Sequence, residues 1–281
     1  MTMKTYNQDS IKTLSFGRSV REKVGMYLSA DRDEALILGL RELIYNATDE
    51  YEMGYGNKIE ITVDTKKNEI IVLDNARGVP VGKRDDGIDS LVAAFTLPHS
   101  GAKHDTEVYA GAVGINGIGA KVVCHTAEWM NVFVYREGKE HYYRFEETDD
   151  GAVLVKNETK DSTTKMTGTR IHYKPSEKVY NKSIIEINNI KDTLQELAYF
   201  TKGMTFKLNV NGKTSVFYSE NGLADALNSK ERVHKHILYY NDTIGEVKVE
   251  LALQWCRHNS TLRSFANNLH VPDGGAFMTG F

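Results

Sequence analysis

Five runs of this chain are β-branched or alternate polar with apolar residues: KIEITVD (58–64), EIIVLD (69–74), NVFVYRE (131–137), EHYYRFEE (140–147) and TRIHYKP (169–175). A period of two puts every second side chain on one face of a sheet, so each run buries one face and wets the other. MTFKLNV-NG-KTSVFY (204–218) adds a hairpin, because Asn-Gly between alternating runs is the strongest short hairpin signal. The polar turn TKKN joins the first two runs. Sheets of this kind need helices over their dry face. The spacing predicts an amphipathic helix over 33–53, a shorter one over 86–97 ended by Pro98, one beginning in AKVVCHTAEW after Gly119, one over 184–200 and a short one in ENGLADALN. EVKVELALQW (246–255) reads as a further strand. The order is α+β, with mostly antiparallel pairing, and not a doubly wound parallel sheet.

The totals fit that picture. The chain has 281 residues, 41% hydrophobic and 26% charged, enough for one large domain or two modest ones. A formal net charge of −3 gives no global basic footprint for nucleic acid. Cys124 and Cys256 are far apart and neither has a CxxC partner, which leaves no zinc site or disulfide framework and makes a reducing cytoplasm the expectation. No apolar run approaches a membrane span, and the N-terminus MTMKTYNQDSIK is too polar for a signal peptide.

Three segments carry chemistry. On the helix over 33–53, Glu42, Asn46, Asp49 and Glu50 fall within about a third of the circumference, without bases spaced to neutralise them on that face. The opposite face carries Leu36, Leu40, Leu43, Ile44, Ala47 and Tyr51. The polar face is either solvated surface or the floor of a site, in which Glu42 would be a general base and Asn46 an oxygen ligand for Mg²⁺. The strand EIIVLD ends on Asp74 and enters a turn with Gly78 and Pro80. Asp74 either caps that turn or accepts a hydrogen bond from an exocyclic amine such as that of adenine. YAGAVGINGIGAKVV (109–123) has glycines at 111, 114, 117 and 119, and is either a flexible turn or a loop that offers backbone N–H groups to phosphate oxygens. It is neither a Walker A motif nor a dinucleotide fingerprint. Lys103, just upstream, is either an exposed lysine or one aimed at a phosphate. One explanation covers all three segments: a site for an adenine nucleotide with Mg²⁺.

With those residues in view, the chain resembles the ATPase region of the B subunit of type IIA topoisomerases, the GHKL branch that includes bacterial gyrase and topoisomerase IV. The likeness runs through YNQDSIKTL (6–14), VREKVGMYL (20–28), ELIYNATDE (42–50), LDNARGVP (73–80), HSGAKH (99–104), GINGIGAKVV (114–123), YREGKEH (135–141), TGTRIHY (167–173), LALQW (251–255) and FANNLHVPDGG (265–275). The glycine loop and helix motifs alone would say only GHKL ATPase. The arm, YREGKEH and FANN…DGG separate it from other branches such as MutL-like proteins, chaperones and sensor kinases.

The resemblance implies a Bergerat-type sandwich, a mixed and mostly antiparallel sheet with helices on one face. It divides the chain into a dimerisation arm (1–15), an ATPase domain (16–219) and the first part of a transducer domain (220–281), so the expectation is a piece of a longer protein. ATP and Mg²⁺ are the implied cofactors. The implied partners are a second copy joined through the arm when ATP is bound and, in the full enzyme, an A-type subunit and DNA. Residue by residue, Glu42 matches the general base, Asn46 the Mg²⁺ ligand, Asp74 the adenine-amine acceptor and Thr169 its hydroxyl helper. Asp49 lies in the same helix motif. Gly78 and Pro80 match the turn beneath the base, and Lys103 a basic residue near the phosphates. Gly114, Ile115, Asn116, Gly117, Ile118, Gly119 and Ala120 match the lid over the phosphates. Arg136 matches the mouth of the pocket, Glu50 and Arg77 an ion pair beside it, and Tyr6 and Ile11 arm residues that touch the partner's nucleotide. Three positions depart from the family: Ala76 replaces a glycine, Val24 a proline and Tyr45 an acidic residue. The transducer lysine that reaches the γ-phosphate in the family is not in this sequence, so a nucleotide-binding module without turnover of its own is the alternative expectation.

Overall fold

The computed structural model describes residues 13–98, 100, 117–227, 231–245, 247–258, 261–266, 269–271, 274, 278 and 279. After α1 (Phe16–Glu22) and a 3-10 turn at Val24–Met26 comes the long helix α2 (Arg32–Glu52). Asp31 caps it by accepting from Asp33 N and Glu34 N, both at 2.9 Å, and Asp33 and Glu34 place negative charge at the positive end of the dipole. The helix runs into Gly54, whose φ of +87° reverses the chain.

Two strands follow, β1 (Lys58–Asp64) and β2 (Glu69–Asp74), with the bounds their alternation predicts. Next come α3 (Ser90–Thr96), α4 (Gly119–His125), β3 (Ala127–Arg136), β4 (Lys139–Thr148), β5 (Gly151–Asp161) and β6 (Gly168–Pro175). A short α5 (Glu177–Tyr180), α6 (Ile187–Phe200) and the hairpin β7 (Thr205–Val210) and β8 (Lys213–Phe217) complete the main sheet. Asn211 and Gly212 both take positive φ in its two-residue turn. The eight strands lie in the order β5-β4-β3-β6-β2-β1-β7-β8, and every pairing is antiparallel except β1 with β7.

The alternation sorts the side chains. Ile59, Ile61 and Val63 of β1, Ile70 and Val72 of β2, and Met130, Val132 and Val134 of β3 all point into one core. Leu36, Leu40, Leu43, Ile44 and Ala47 cover it from α2, and Ile190, Leu194 and Leu197 from α6. Helices on one face of a mixed, mostly antiparallel sheet give the α+β arrangement the sequence implied. No helix among the described residues is long and apolar enough to cross a membrane.

Several details differ from expectation. α3 begins at Ser90 and not at residue 86, because Asp89 caps it, accepting from Leu91 N (2.9 Å) and Val92 N (3.2 Å), while Gly87 sits in a turn at φ +80°. α4 stops at His125, and the residues after it start β3. α6 starts at Ile187, and the segment at Gly222–Ala226 is a 3-10 turn. β5 and the exposed strand β9 (Leu238–Ile244) were not anticipated. β9 pairs with β10 (Val247–Leu253), and a two-residue pair, β11 (Phe265–Ala266) and β12 (Leu269–His270), follows. Phe265 packs edge-on against Phe200 at 4.6 Å, and Arg263 reaches Glu196, so this second part is tied to α6.

Candidate functional site

Asp74 closes β2 and is the best-determined group of the site. Its Oδ1 accepts two backbone N–H bonds, from Ala76 (2.9 Å) and from Thr169 (3.2 Å). Thr169 comes from β6, which pairs beside β2, so the sheet register itself delivers the second donor. The Thr169 hydroxyl oxygen accepts from Val79 N at 3.2 Å, which pins the far side of the turn. Burial pushes the Asp74 carboxyl up to about 6, although the two N–H bonds favour its ionised form; the charge of Glu50 adds to the rise.

The turn beneath it cannot carry other residues at two points. Gly78 has φ +79°, and a β-carbon there would lie 3.0 Å from Val134 Cγ1 and 3.1 Å from the Gly168 carbonyl. Gly168 has φ +129°, and a β-carbon on it would overlap the Asp74 carbonyl. Ala76, in contrast, keeps a negative φ, so the missing glycine costs no backbone strain, and its methyl is buried. The other two departures are absorbed by the core: Val24 and Tyr45 are both buried, and the Tyr45 hydroxyl accepts from Arg41 Nε at 3.1 Å. Pro80 is exposed at the end of the turn.

Glu50 and Arg77 form a two-point ion pair, Nε to Oε2 at 2.7 Å and Nη2 to Oε1 at 2.9 Å. The Arg77 guanidinium also lies 3.9 Å from the centre of the Tyr55 ring, a stacking partner that sequence spacing does not reveal. Arg136 donates to the Gly78 carbonyl at 3.1 Å and to Glu137 at 3.1 Å, which fixes it at the edge of the same turn.

Glu42 sits mid-way along α2, half-buried, and Asn46 is exposed one turn later. Gly119, the first residue of α4, lies directly against Glu42: a β-carbon on Gly119 would overlap its carboxylate. Gly117 takes φ +57°, and Ile118 and Ala120 flank Gly119 at half-buried positions. A residue not anticipated from the sequence is Lys121, which is buried and donates from Nζ to the Gly117 carbonyl. Asp49 lies on α2 between Asn46 and Glu50. It is buried, and it lines a separate cavity of about 620 Å³ with Glu52, Tyr199, Lys202, Tyr239 and Glu250. Tyr6, Ile11, Lys103, Gly114, Ile115 and Asn116 lie outside the described residues.

The structure thus sets two groups of residues along α2: Asp74 with the Thr169 strand near Glu50, and the start of α4 against Glu42. It offers a half-buried carboxylate, an exposed amide, a carboxylate whose Oδ1 is fixed by the backbone, and glycines where side chains will not fit. No cluster of three or more metal-ligating His, Cys, Asp or Glu occurs among the described residues.

Comparison with known proteins gives the following. The family model described as DNA gyrase B matches residues 221–281. The B subunit of DNA gyrase from Synechocystis sp. is 32% identical over 292 residues, an alignment covering 100% of this chain and 27% of that protein. The B subunit of DNA topoisomerase 4 from Enterococcus faecalis is 31% identical over 283 residues, covering 98% of this chain and 41% of that protein. This chain therefore spans less than half the length of these curated relatives. Among solved structures, the crystal structure of the 43K ATPase domain of Thermus thermophilus gyrase B in complex with an aminocoumarin superposes with a TM-score of 0.74 at 26% identity, covering 92% of this chain and 67% of that one.

Proposed function

The chain belongs to the B-subunit family of type IIA DNA topoisomerases and spans the family's ATPase region, and from that premise we propose that it binds and hydrolyses ATP at the site built by α2, β2, β6 and α4. Glu42 is the general base that takes a proton from the attacking water. Asp74 accepts from the adenine amine, with Thr169 holding the turn beside it. Gly78, Arg77 with Glu50, Pro80 and Arg136 shape the adenine side of the pocket. The segment from Gly114 to Ala120, with Lys103, covers the phosphates. The observation that supports this reading is the contact between Gly119 and Glu42, which brings the end of the glycine-rich segment onto the carboxylate proposed as base.

A magnesium ion fits the donor set. Mg²⁺ takes few protein ligands and fills its shell with phosphate oxygens and water, and the exposed Asn46, one turn from Glu42, supplies the neutral oxygen such a site uses. When bound, it would neutralise phosphate charge. The chain's own residues bind the base, orient the water at Glu42 and present backbone N–H groups.

We further propose the division into an arm (1–15), the ATPase domain (16–219) and the start of a transducer (220–281). The family-model match to 221–281 supports the second boundary. The arm residues Tyr6 and Ile11 would reach a second copy when ATP is bound, and in the longer protein the clamp would act on DNA together with an A-type subunit. The test is calorimetric titration with a non-hydrolysable ATP analogue and Mg²⁺, beside an ATPase assay of Glu42→Ala. Binding retained with hydrolysis abolished is expected. Loss of binding in the variant would count against Glu42 as base, and no binding by the parent chain would overturn the nucleotide site.

A further inference from the structure

Lys121 is only 3% exposed, an unusual setting for an ammonium group, and it lies in the third position of α4. Enclosing a lysine charge is costly unless polar partners surround it. One of its partners is the carbonyl oxygen of Gly117, four residues back, to which Nζ donates. Gly117 holds φ +57°, so the chain reverses there before entering α4, and two residues later Gly119 meets Glu42. A trans peptide unit is planar, and its C=O and N–H point in opposite directions. A Gly117 carbonyl held against Lys121 therefore turns the Ile118 N–H, in the same peptide unit, away from it.

We propose that Lys121 is a positioning residue for the nucleotide's phosphates. Its ammonium anchors the carbonyl edge of the Gly117–Ile118 peptide within the protein, so that the N–H edge faces the phosphate oxygens. The inference rests on the ATP reading above. Glycine at 117 leaves this peptide unit free to rotate. Without the anchor its carbonyl can turn toward the phosphates and present a partial negative charge where a donor is needed. In this arrangement the loop's lysine acts on the backbone and through it on the ligand.

The test compares the parent chain with Lys121→Met and Lys121→Gln, by calorimetric titration of a non-hydrolysable ATP analogue with Mg²⁺ and by nuclear magnetic resonance titration of adenosine. Glutamine removes the charge but keeps an amide donor for the Gly117 carbonyl; methionine removes both. The Met variant should bind the ATP analogue at least tenfold more weakly and adenosine within twofold of the parent, while the Gln variant keeps most of the ATP affinity. Three results would overturn the assignment. They are ATP-analogue affinity unchanged in Met, a parallel loss of adenosine that marks a collapsed pocket, or a loss in Gln as large as in Met, which would mean that charge and not anchoring matters. Thermal unfolding of both variants separates a folding defect from these results. If Met does not fold, Lys121→Ala, which also lacks a donor for the Gly117 carbonyl, takes its place with the same expected and overturning results. Failure of the ATP reading itself looks different: the parent chain would bind neither ligand.

Discussion

Asp74→Asn should make the ligand-free protein more stable while impairing its binding of adenine. The folded protein raises this carboxyl from 3.8 to about 6, chiefly by burial. One pKa unit is worth about 1.4 kcal/mol, so keeping Asp74 ionised at pH 8 costs the fold up to about 3 kcal/mol relative to the unfolded chain. Because the folded value is the higher one, this group's contribution is fully favourable below pH 3.8 and is lost as pH rises through about 6. An asparagine oxygen can accept the same bonds from Ala76 N and Thr169 N without ionising. At pH 8 the variant should gain about 1–3 kcal/mol, and near pH 4 the gain should vanish because the parent carboxyl is then largely protonated. Binding moves the other way. The asparagine turns an NH₂ toward the adenine amine, which removes a charge-assisted acceptor and sets donor against donor, a loss of about 2–4 kcal/mol. That corresponds to roughly 30- to 1000-fold in Kd. Thermal unfolding at both pH values and calorimetry with a non-hydrolysable ATP analogue measure the two halves. Unchanged affinity would refute the amine-acceptor role. A variant less stable than the parent at pH 8, or equally stabilised at both pH values, would refute the burial argument.

Other expectations follow from the same geometry. Gly119→Ala places a methyl on the Glu42 carboxylate, so kcat should fall at least about tenfold, equivalent to about 1.4 kcal/mol, with analogue binding weakened less; unchanged turnover would show that the contact is not part of the reactive geometry. A double-mutant cycle on Glu50→Gln and Arg77→Met should give a coupling of about 1 kcal/mol, because the pair is two-point but only partly screened from water; a coupling near zero would remove its structural role. His125 accepts from Ala152 N at 2.9 Å and meets the Thr96 carbonyl at 2.9 Å, so His125→Leu should cost about 2–4 kcal/mol in urea unfolding. Burial first, and the nearby Arg21 charge, depress this imidazole, while its bond to the Thr96 carbonyl opposes them. Its stabilising contribution is present above the unfolded value of 6.5 and shrinks as pH falls through the depressed folded value, and the Leu variant should lack that component.

What could be read from the sequence depended on whether burial alternates. β1 and β2 have the bounds their pattern predicts, since each buries every second residue over most of its length. β5 buries only Gly151 and Ala152, and β9 is exposed throughout, so neither leaves a period to detect. At the candidate site, spacing alone singled out Glu42, Asn46 and Asp74 but left an ordinary reading open for each, because exposed carboxylates and turn-capping aspartates are common, and the roles came from the family resemblance. Tyr55 beneath Arg77, Gly168 against the Asp74 carbonyl and Lys121 under Gly117 were not legible, because each depends on a distance set by folding. Asp49 shares the polar face of α2 by angle, but its burial was not legible, because it depends on how the rest of the fold packs around the end of that helix.

The one parallel pairing of the eight-stranded sheet among the described residues, β1 beside β7, bears on the order in which that sheet can close. Its first contact joins Lys58 to Thr205, so the strand that carries Ile59 and Ile61 is made long before its second neighbour exists. Such long-range pairing is slow, because the loop must close before the contact rewards it. Until Val210 has been synthesised, β1 presents an open edge able to pair with another chain. Shortened versions that end before β7 would keep Glu42, Asp74 and Gly119 and would still be prone to aggregate, so a soluble minimal unit must extend through the β7–β8 hairpin.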